Sequence, residues 1–137
     1  MQRESHDPLA GIHVLVVEDT ASIRRLMHTM LETEGATVVE ASTGREAIEL
    51  ARVEAFDVVL TDLGLPDISG ETVIAEVRAV SRGRTRIAVV SGAHPDDLAH
   101  ALEAGAERAF AKPVEWNDLL RYVAGRTACA GARISER

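Results

Sequence analysis

At 137 residues, 46% hydrophobic and 27% charged, the chain has the length and composition of one globular domain, too short for two cores and too apolar for a disordered polypeptide. A net charge of −7 argues against a surface built to track nucleic-acid phosphates, and the lone Cys129 excludes an intramolecular disulfide and a cysteine-based zinc site. No apolar run has the length of a signal-peptide core or a membrane span, so a soluble cytoplasmic protein is expected.

The first nine residues mix charges with Pro8 and read as a flexible N-terminal segment, which puts the folded domain at residues 10–125. Ile12–Val17 (IHVLVV) is an apolar run suited to a strand covered on both faces. Ser22–Gly35 follows as a helix with Ile23, Leu26, Met27, Met30 and Leu31 on one stripe, stopped by Gly35. Ala36–Ala41 (ATVVEA) reads as a second strand, and Thr43–Phe56 as a helix in which Thr43 and Glu46 have capping-box spacing. Asp57–Thr61 is the third strand, and Ser69–Val80 a helix with Val73, Ile74, Val77 and Val80 at helical spacing. Thr85–Ser91 (TRIAVVS) supplies a fourth strand; the next helix opens on Pro95, Asp96 and Asp97, as a first turn should, and stops near Gly105. Arg108–Pro113 is a short fifth strand and Glu115–Gly125 a final helix, with residues 126–137 left as a flexible C-terminal tail.

Five strand–helix units predict an α/β fold, a doubly wound five-stranded parallel sheet in a flavodoxin-like three-layer sandwich, rather than an eight-stranded barrel. In the common order 2-1-3-4-5, strands one and three are neighbours where the winding reverses, and ligands bind beyond their carboxyl ends.

The residues that end the strands converge on that edge: Glu18 and Asp19 after the first, Asp62 after the third, Ser91 after the fourth, Lys112 and Pro113 after the fifth. An acid pair at a helix start is commonplace, because it complements the helix dipole. A third acid is different. Two carboxylates at about 4 Å repel by about 4 kcal/mol at an effective dielectric near 20, so three of them call for a cation. Few protein oxygens with room left for waters and a phosphate suit Mg²⁺ better than Ca²⁺. Lys112 is the single lysine beside fourteen arginines, a compact ammonium kept where a point charge is wanted. In such company Asp62 is suited to act as a nucleophile, and a phosphoryl is the incoming group that best matches Mg²⁺, a hydroxyl and an ammonium together.

From about Leu9 to Gly125 the chain resembles the CheY-like receiver domain of two-component response regulators: VLVVEDTASIRRLM, DVVLTDLGLPDISG, IAVVSGA and AGAERAFAKPV fall in family order and spacing. The resemblance implies a phosphorylation-dependent signalling switch rather than an enzyme. Asp62 would accept a phosphoryl group from phosphohistidine on a sensor histidine kinase or a histidine phosphotransfer protein. Asp19, Asp62 and the backbone carbonyl of Gly64 would ligate Mg²⁺, with Glu18 acting through a bound water. Ser91 would bond a phosphoryl oxygen, Lys112 would pair first with Asp62 and then with the phosphoryl group, and the bond before Pro113 would be cis. The resemblance fits a stand-alone regulator, a phosphorelay intermediate or the receiver of a hybrid kinase, whose signal leaves through surface binding to a protein target without direct nucleic-acid or membrane contact.

One position departs from the family. Receivers place Tyr, Phe or His three residues before the lysine, and here that residue is Ala109; strand alternation sends the neighbouring Phe110 to the opposite face, into the core. Gly64 and Ala93, two residues beyond Asp62 and Ser91, leave room beside the phosphoryl group and permit either a long or a short acyl-phosphate lifetime. Trp116 and Tyr122 read as partial core or an interaction face, and His28, His94 and His100 lack ligand spacing. The rival readings are a haloacid-dehalogenase-like aspartyl phosphatase, a flavodoxin-like cofactor binder and a receiver-like interaction module that is never phosphorylated. The first needs an acid two residues after its nucleophile, where this chain has Gly64; the second would meet phosphate with Glu18 and Asp19; the third typically loses acids or the lysine, and none is lost here.

Overall fold

The computed structural model describes residues 7–92 and 94–128. In chain order the elements are β1 (His13–Val17), α1 (Ala21–Thr33), β2 (Thr37–Ala41), α2 (Gly44–Val53), β3 (Val58–Thr61), α3 (Gly70–Ser81), β4 (Arg86–Ser91), α4 (Pro95–Ala104), β5 (Arg108–Ala111) and α5 (Trp116–Ala128). All strand pairs are parallel and the sheet order is β2-β1-β3-β4-β5, as the alternation of strands and helices predicts. No helix among the described residues is long and apolar enough to cross a membrane.

The apolar runs follow from burial on both faces. Val14 and Val16 of β1 point into one core with Met27 and Leu31 of α1 and Leu119, Tyr122 and Val123 of α5. Leu15 and Val17 point into the other, with Ala47 of α2, Val73, Ile74 and Val77 of α3, and Ala101 of α4. A strand with a core on each side has no polar face to offer, which is why IHVLVV does not alternate.

Several boundaries differ from the sequence reading. Leu9, expected in a flexible segment, is fully buried, and its N–H donates to the Glu34 carbonyl at 2.9 Å, so packed structure begins before residue 10. Leu26, placed on the buried stripe of α1, is 58% exposed; it lies one residue, or about 100°, from Met27, outside the arc that Met27 and Leu31 bury. Val80, in the last turn of α3, stays 37% exposed while Val73, Ile74 and Val77 are buried. α2 ends at Val53 rather than Phe56, because Glu54 turns to extended backbone and lets Phe56 drop into the core and stack on His13 at 4.7 Å. α5 continues to Ala128, into the stretch read as tail. The capping box is present in modified form: Thr43 accepts the Glu46 N–H at 3.1 Å, while the Glu46 carboxylate reaches back to the Ser42 N–H at 2.9 Å.

The loop from β3 to α3 is held against the start of α2. Asp67 accepts the N–H groups of Gly44 and Arg45, each at 2.9 Å. Gly70 packs so closely that a Cβ there would lie 2.6 Å from Leu63 Cα and 3.0 Å from the Asp62 carbonyl oxygen. A Gly→Ala change at an open helix position stabilises by up to about 1 kcal/mol. Here the sign reverses: Gly70→Ala is expected to lower unfolding stability by about 1–3 kcal/mol, the usual cost of overpacking, and a raised urea midpoint would contradict the close packing.

On the far side, Arg86 donates to the carbonyls of Tyr122 and Val123 at 2.7 and 2.8 Å, and the Tyr122 hydroxyl donates to Glu107 at 2.7 Å. Burial, reinforced by the Glu107 carboxylate, pushes the Tyr122 phenol far above its ordinary value of 10.0. Because the folded-state value is the higher one, the stability this group contributes is complete below pH 10.0 and is lost as pH rises beyond it. Tyr122 is the only tyrosine, so phenolate absorbance is expected to appear together with unfolding and not before it. Ionisation near pH 10.0 with the fold intact would contradict the buried hydrogen bond.

Candidate functional site

Register brings the strand ends to one rim. Val17 pairs with Thr61, so β1 and β3 finish level, and Asp62 extends the ladder by donating its N–H to the Val17 carbonyl at 3.1 Å. Glu18 does the same toward Ala41 at 3.1 Å, and Lys112 toward Ser91 at 3.0 Å. The backbone thus fixes Glu18, Asp62 and Lys112 before any side chain is placed.

The side chains then meet. One carboxylate oxygen each from Glu18, Asp19 and Asp62 lies within 4.8 Å of the other two. The Lys112 ammonium donates to Glu18 Oε1 at 3.1 Å and to Asp62 Oδ2 at 3.2 Å. Asp62 Oδ1 accepts the Gly64 N–H at 3.1 Å, and Glu18 Oε2 accepts the Thr20 N–H at 3.1 Å. The Glu18 side chain is only 4% exposed and that of Asp62 13%, whereas Asp19 is open to solvent.

Partial burial opposes ionisation of Asp62, yet the Gly64 N–H, the Ser91 hydroxyl and the Lys112 ammonium outweigh it and hold the carboxyl below its ordinary 3.8. Burial likewise opposes the charge on Lys112, but the carboxylates of Glu18 and Asp62 raise its pKa above the ordinary 10.5. The site therefore presents an ionised, hydrogen-bonded carboxylate at neutral pH. One ammonium faces three carboxylates, so the cluster remains net negative and open on its Asp19 side.

The Lys112–Pro113 peptide bond is cis. Ala109 lies on β5 against the core shared by α3 and α4, while Phe110 is buried on the opposite face with Arg108 over its ring at 4.5 Å. Gly64 is open, with only Asp62 Oδ1 near the place of a Cβ, at 4.0 Å; Ala93 lies outside the described residues. Trp116 and Tyr122 pack on the α1/α5 core. Sequence reasoning missed two features. Lys112 bridges Glu18 as well as Asp62, and Arg24, Glu40 and His28 form a chain beside Glu18: Arg24 Nε to Glu40 at 3.0 Å, His28 Nδ1 to Glu40 at 2.6 Å. The available signal is Glu40 itself, the one charge in TVVEA, since an acid inside an apolar strand requires a partner.

Comparison with known proteins identifies the class. The response regulator receiver domain family matches residues 14–124. The chain is 34% identical over 113 residues to the cell cycle response regulator CtrA of Brucella ovis, an overlap of 82% of this chain and 48% of that protein, so it spans about half the length of the CtrA proteins it matches. The crystal structure of a CheY-like response regulator receiver domain protein from Methanospirillum hungatei aligns with TM-score 0.79 and 29% identity, covering 84% of this chain and 92% of that one. The receiver domain of a sensor histidine kinase from Pseudomonas aeruginosa, solved with magnesium coordinated in its active-site cleft, aligns with TM-score 0.74 and 29% identity, covering 85% and 99%. The chain belongs to the response regulator receiver domain family, a family of signalling domains.

Proposed function

We propose that this receiver domain is switched by a phosphoryl group carried on Asp62, taken from phosphohistidine on a sensor histidine kinase or a histidine phosphotransfer protein. The observation that carries the reading is the arrangement at the rim: Asp62 hydrogen-bonded to Lys112 and Gly64 within an acidic cluster that one ammonium leaves under-neutralised. A carboxylate oxygen of Asp62 attacks phosphorus, the P–N bond to the donor imidazole breaks, and the electron pair leaves with the imidazole nitrogen. Because Asp62 is held ionised, no proton has to be removed before attack. Lys112 and Ser91, already turned toward Asp62, then serve the phosphoryl oxygens.

The donor set fits a magnesium ion. Three carboxylates supply hard oxygens, and the exposed side of Asp19 leaves room for waters. Asp19, Asp62 and the Gly64 carbonyl would hold Mg²⁺ directly and Glu18 through water. Bound there, the ion would neutralise negative charge gathered around the phosphoryl oxygens. In the phosphorylated protein Ser91 and Lys112 draw toward the new group, favouring one of two arrangements of the β4–α4 and β5–α5 segments, whose surface a downstream protein reads. With Ala109 in place of an aromatic, the switch runs through Ser91 without a large rotating side chain.

Intact mass after incubation with acetyl phosphate and Mg²⁺ tests the reading. One added phosphoryl group, absent after EDTA treatment, is expected. Equal uptake with and without EDTA would overturn the metal dependence.

A further inference from the structure

We infer that Arg24 is a positioning residue that clamps the β1–α1 turn, so that Glu18 and Asp19 are presented together toward Asp62. The inference rests on the reading of this rim as a Mg²⁺-dependent phosphoacceptor site and adds to it a residue that touches neither metal nor phosphoryl group.

Arg24 lies one turn into α1, its own N–H donating to the Thr20 carbonyl at 2.9 Å. Its guanidinium turns back over the turn it follows, and Nη1 donates to the Glu18 carbonyl at 2.7 Å. That carbonyl opens the peptide joining Glu18 to Asp19, so holding it fixes the plane from which both carboxylates depart. The Nε–H on the same rigid guanidinium plane donates to Glu40 of β2 at 3.0 Å, and His28 holds the other Glu40 oxygen at 2.6 Å. The Arg24 side chain is 17% exposed and that of Glu40 23%. Arg24 is thereby tied at three points, to α1 by its backbone, to β2 by Glu40 and to the turn by the Glu18 carbonyl.

Charge supports a positioning role. A bare guanidinium next to a cation site would repel a divalent ion. Here the Glu40 carboxylate sits against Arg24 and cancels most of that field while leaving the hydrogen bond to the turn. Burial opposes ionisation of Glu40, but its hydrogen bonds to His28 and Arg24 outweigh it and lower its pKa, so the neutralising charge stays in place. Two of the N–H donors on arginine's rigid plane serve Glu40 and the Glu18 carbonyl in one fixed geometry, which the flexible stem and point charge of a lysine hold less firmly.

The test compares wild type with Arg24→Ala, alone and combined with Glu40→Gln, and with Arg24→Lys in three readouts: amide hydrogen exchange of the 18–20 turn in metal-free protein, Mg²⁺ affinity by calorimetry, and phosphoryl uptake from acetyl phosphate, with thermal unfolding as a check on folding. Arg24→Ala is expected to speed exchange at the Thr20 N–H and, when combined with Glu40→Gln so that no uncancelled carboxylate is left beside the site, to weaken Mg²⁺ binding by about tenfold, the low end of the loss when partners that orient metal ligands are removed. Its phosphoryl uptake should approach wild type once Mg²⁺ is saturating. Arg24→Lys should recover part of the affinity. A merely structural Arg24 would lower the unfolding temperature while leaving Mg²⁺ affinity and turn exchange unchanged, and that result overturns the inference. If Arg24→Ala does not fold, the same comparison on Arg24→Lys decides. Should wild type bind no Mg²⁺ and take up no phosphoryl group, the phosphoacceptor reading fails, and the exchange rates in metal-free protein still decide whether the clamp exists.

Discussion

Lys112→Ala is expected to destabilise the metal-free protein, to tighten Mg²⁺ binding and to slow phosphoryl uptake, three changes that no single loss of structure produces together. Lys112 bridges Glu18 and Asp62 at 3.1 and 3.2 Å, and nothing else described in the site carries positive charge against them. Removing one partner of a fully buried ion pair costs roughly 3–5 kcal/mol; with the Lys112 side chain 27% exposed, water recovers part of that, and about 2 kcal/mol is expected. Added Mg²⁺ should restore much of the loss, because a divalent ion can take up the charge the ammonium leaves. Affinity for the ion should rise severalfold, since the ammonium that repels it is gone. Uptake should still fall, because the phosphoryl group loses the cation that receives it. Denaturant melts with and without Mg²⁺ check the first point and calorimetry the second. A metal-free midpoint equal to wild type, or weaker Mg²⁺ binding, would contradict the bridging role.

Asp62→Asn is expected to abolish phosphoryl uptake completely while the domain stays folded. The amide keeps the size of the carboxylate and an oxygen for the Gly64 N–H at 3.1 Å, so the β3–α3 loop has no reason to move. What it loses is nucleophilicity and one of three carboxylates, so Mg²⁺ affinity should drop as well. The pH dependence has a defined sign. Because Asp62 has a folded-state pKa below 3.8, the stability it contributes is present above pH 3.8 and is lost as pH falls through the folded value. In Asp62→Asn that part of the acid transition should vanish. Residual uptake in this variant would place the acceptor elsewhere.

Much of the fold is written in residues that have no alternative. β1 must be apolar throughout because Val14 and Val16 face one core and Leu15 and Val17 the other, and such strands alternating with amphipathic helices leave few topologies. Glu18, Asp19, Asp62 and Lys112 stand out for the same reason in reverse: they are charges placed where apolar strands end. Contacts between residues far apart in sequence are harder to read. Lys112 and Glu18 are 94 positions apart, and only the register of β1, β3, β4 and β5 brings them within 3.1 Å. Arg24 and Glu40 meet because α1 packs across β1 and β2, which periodicity alone does not reveal. Leu26 shows the limit within a single helix: hydrophobic spacing admits it to the stripe, and only the direction of the sheet shows that it faces outward.

Borohydride trapping tests the assignment of Asp62 most directly. Protein treated with acetyl phosphate and Mg²⁺ is reduced, which converts an aspartyl phosphate to homoserine, and the modified position is read by peptide mass mapping. Homoserine at position 62 alone, dependent on both acetyl phosphate and Mg²⁺, is the expected result. Homoserine at position 19 or elsewhere, or a phosphoryl-bearing protein that yields none, would contradict it.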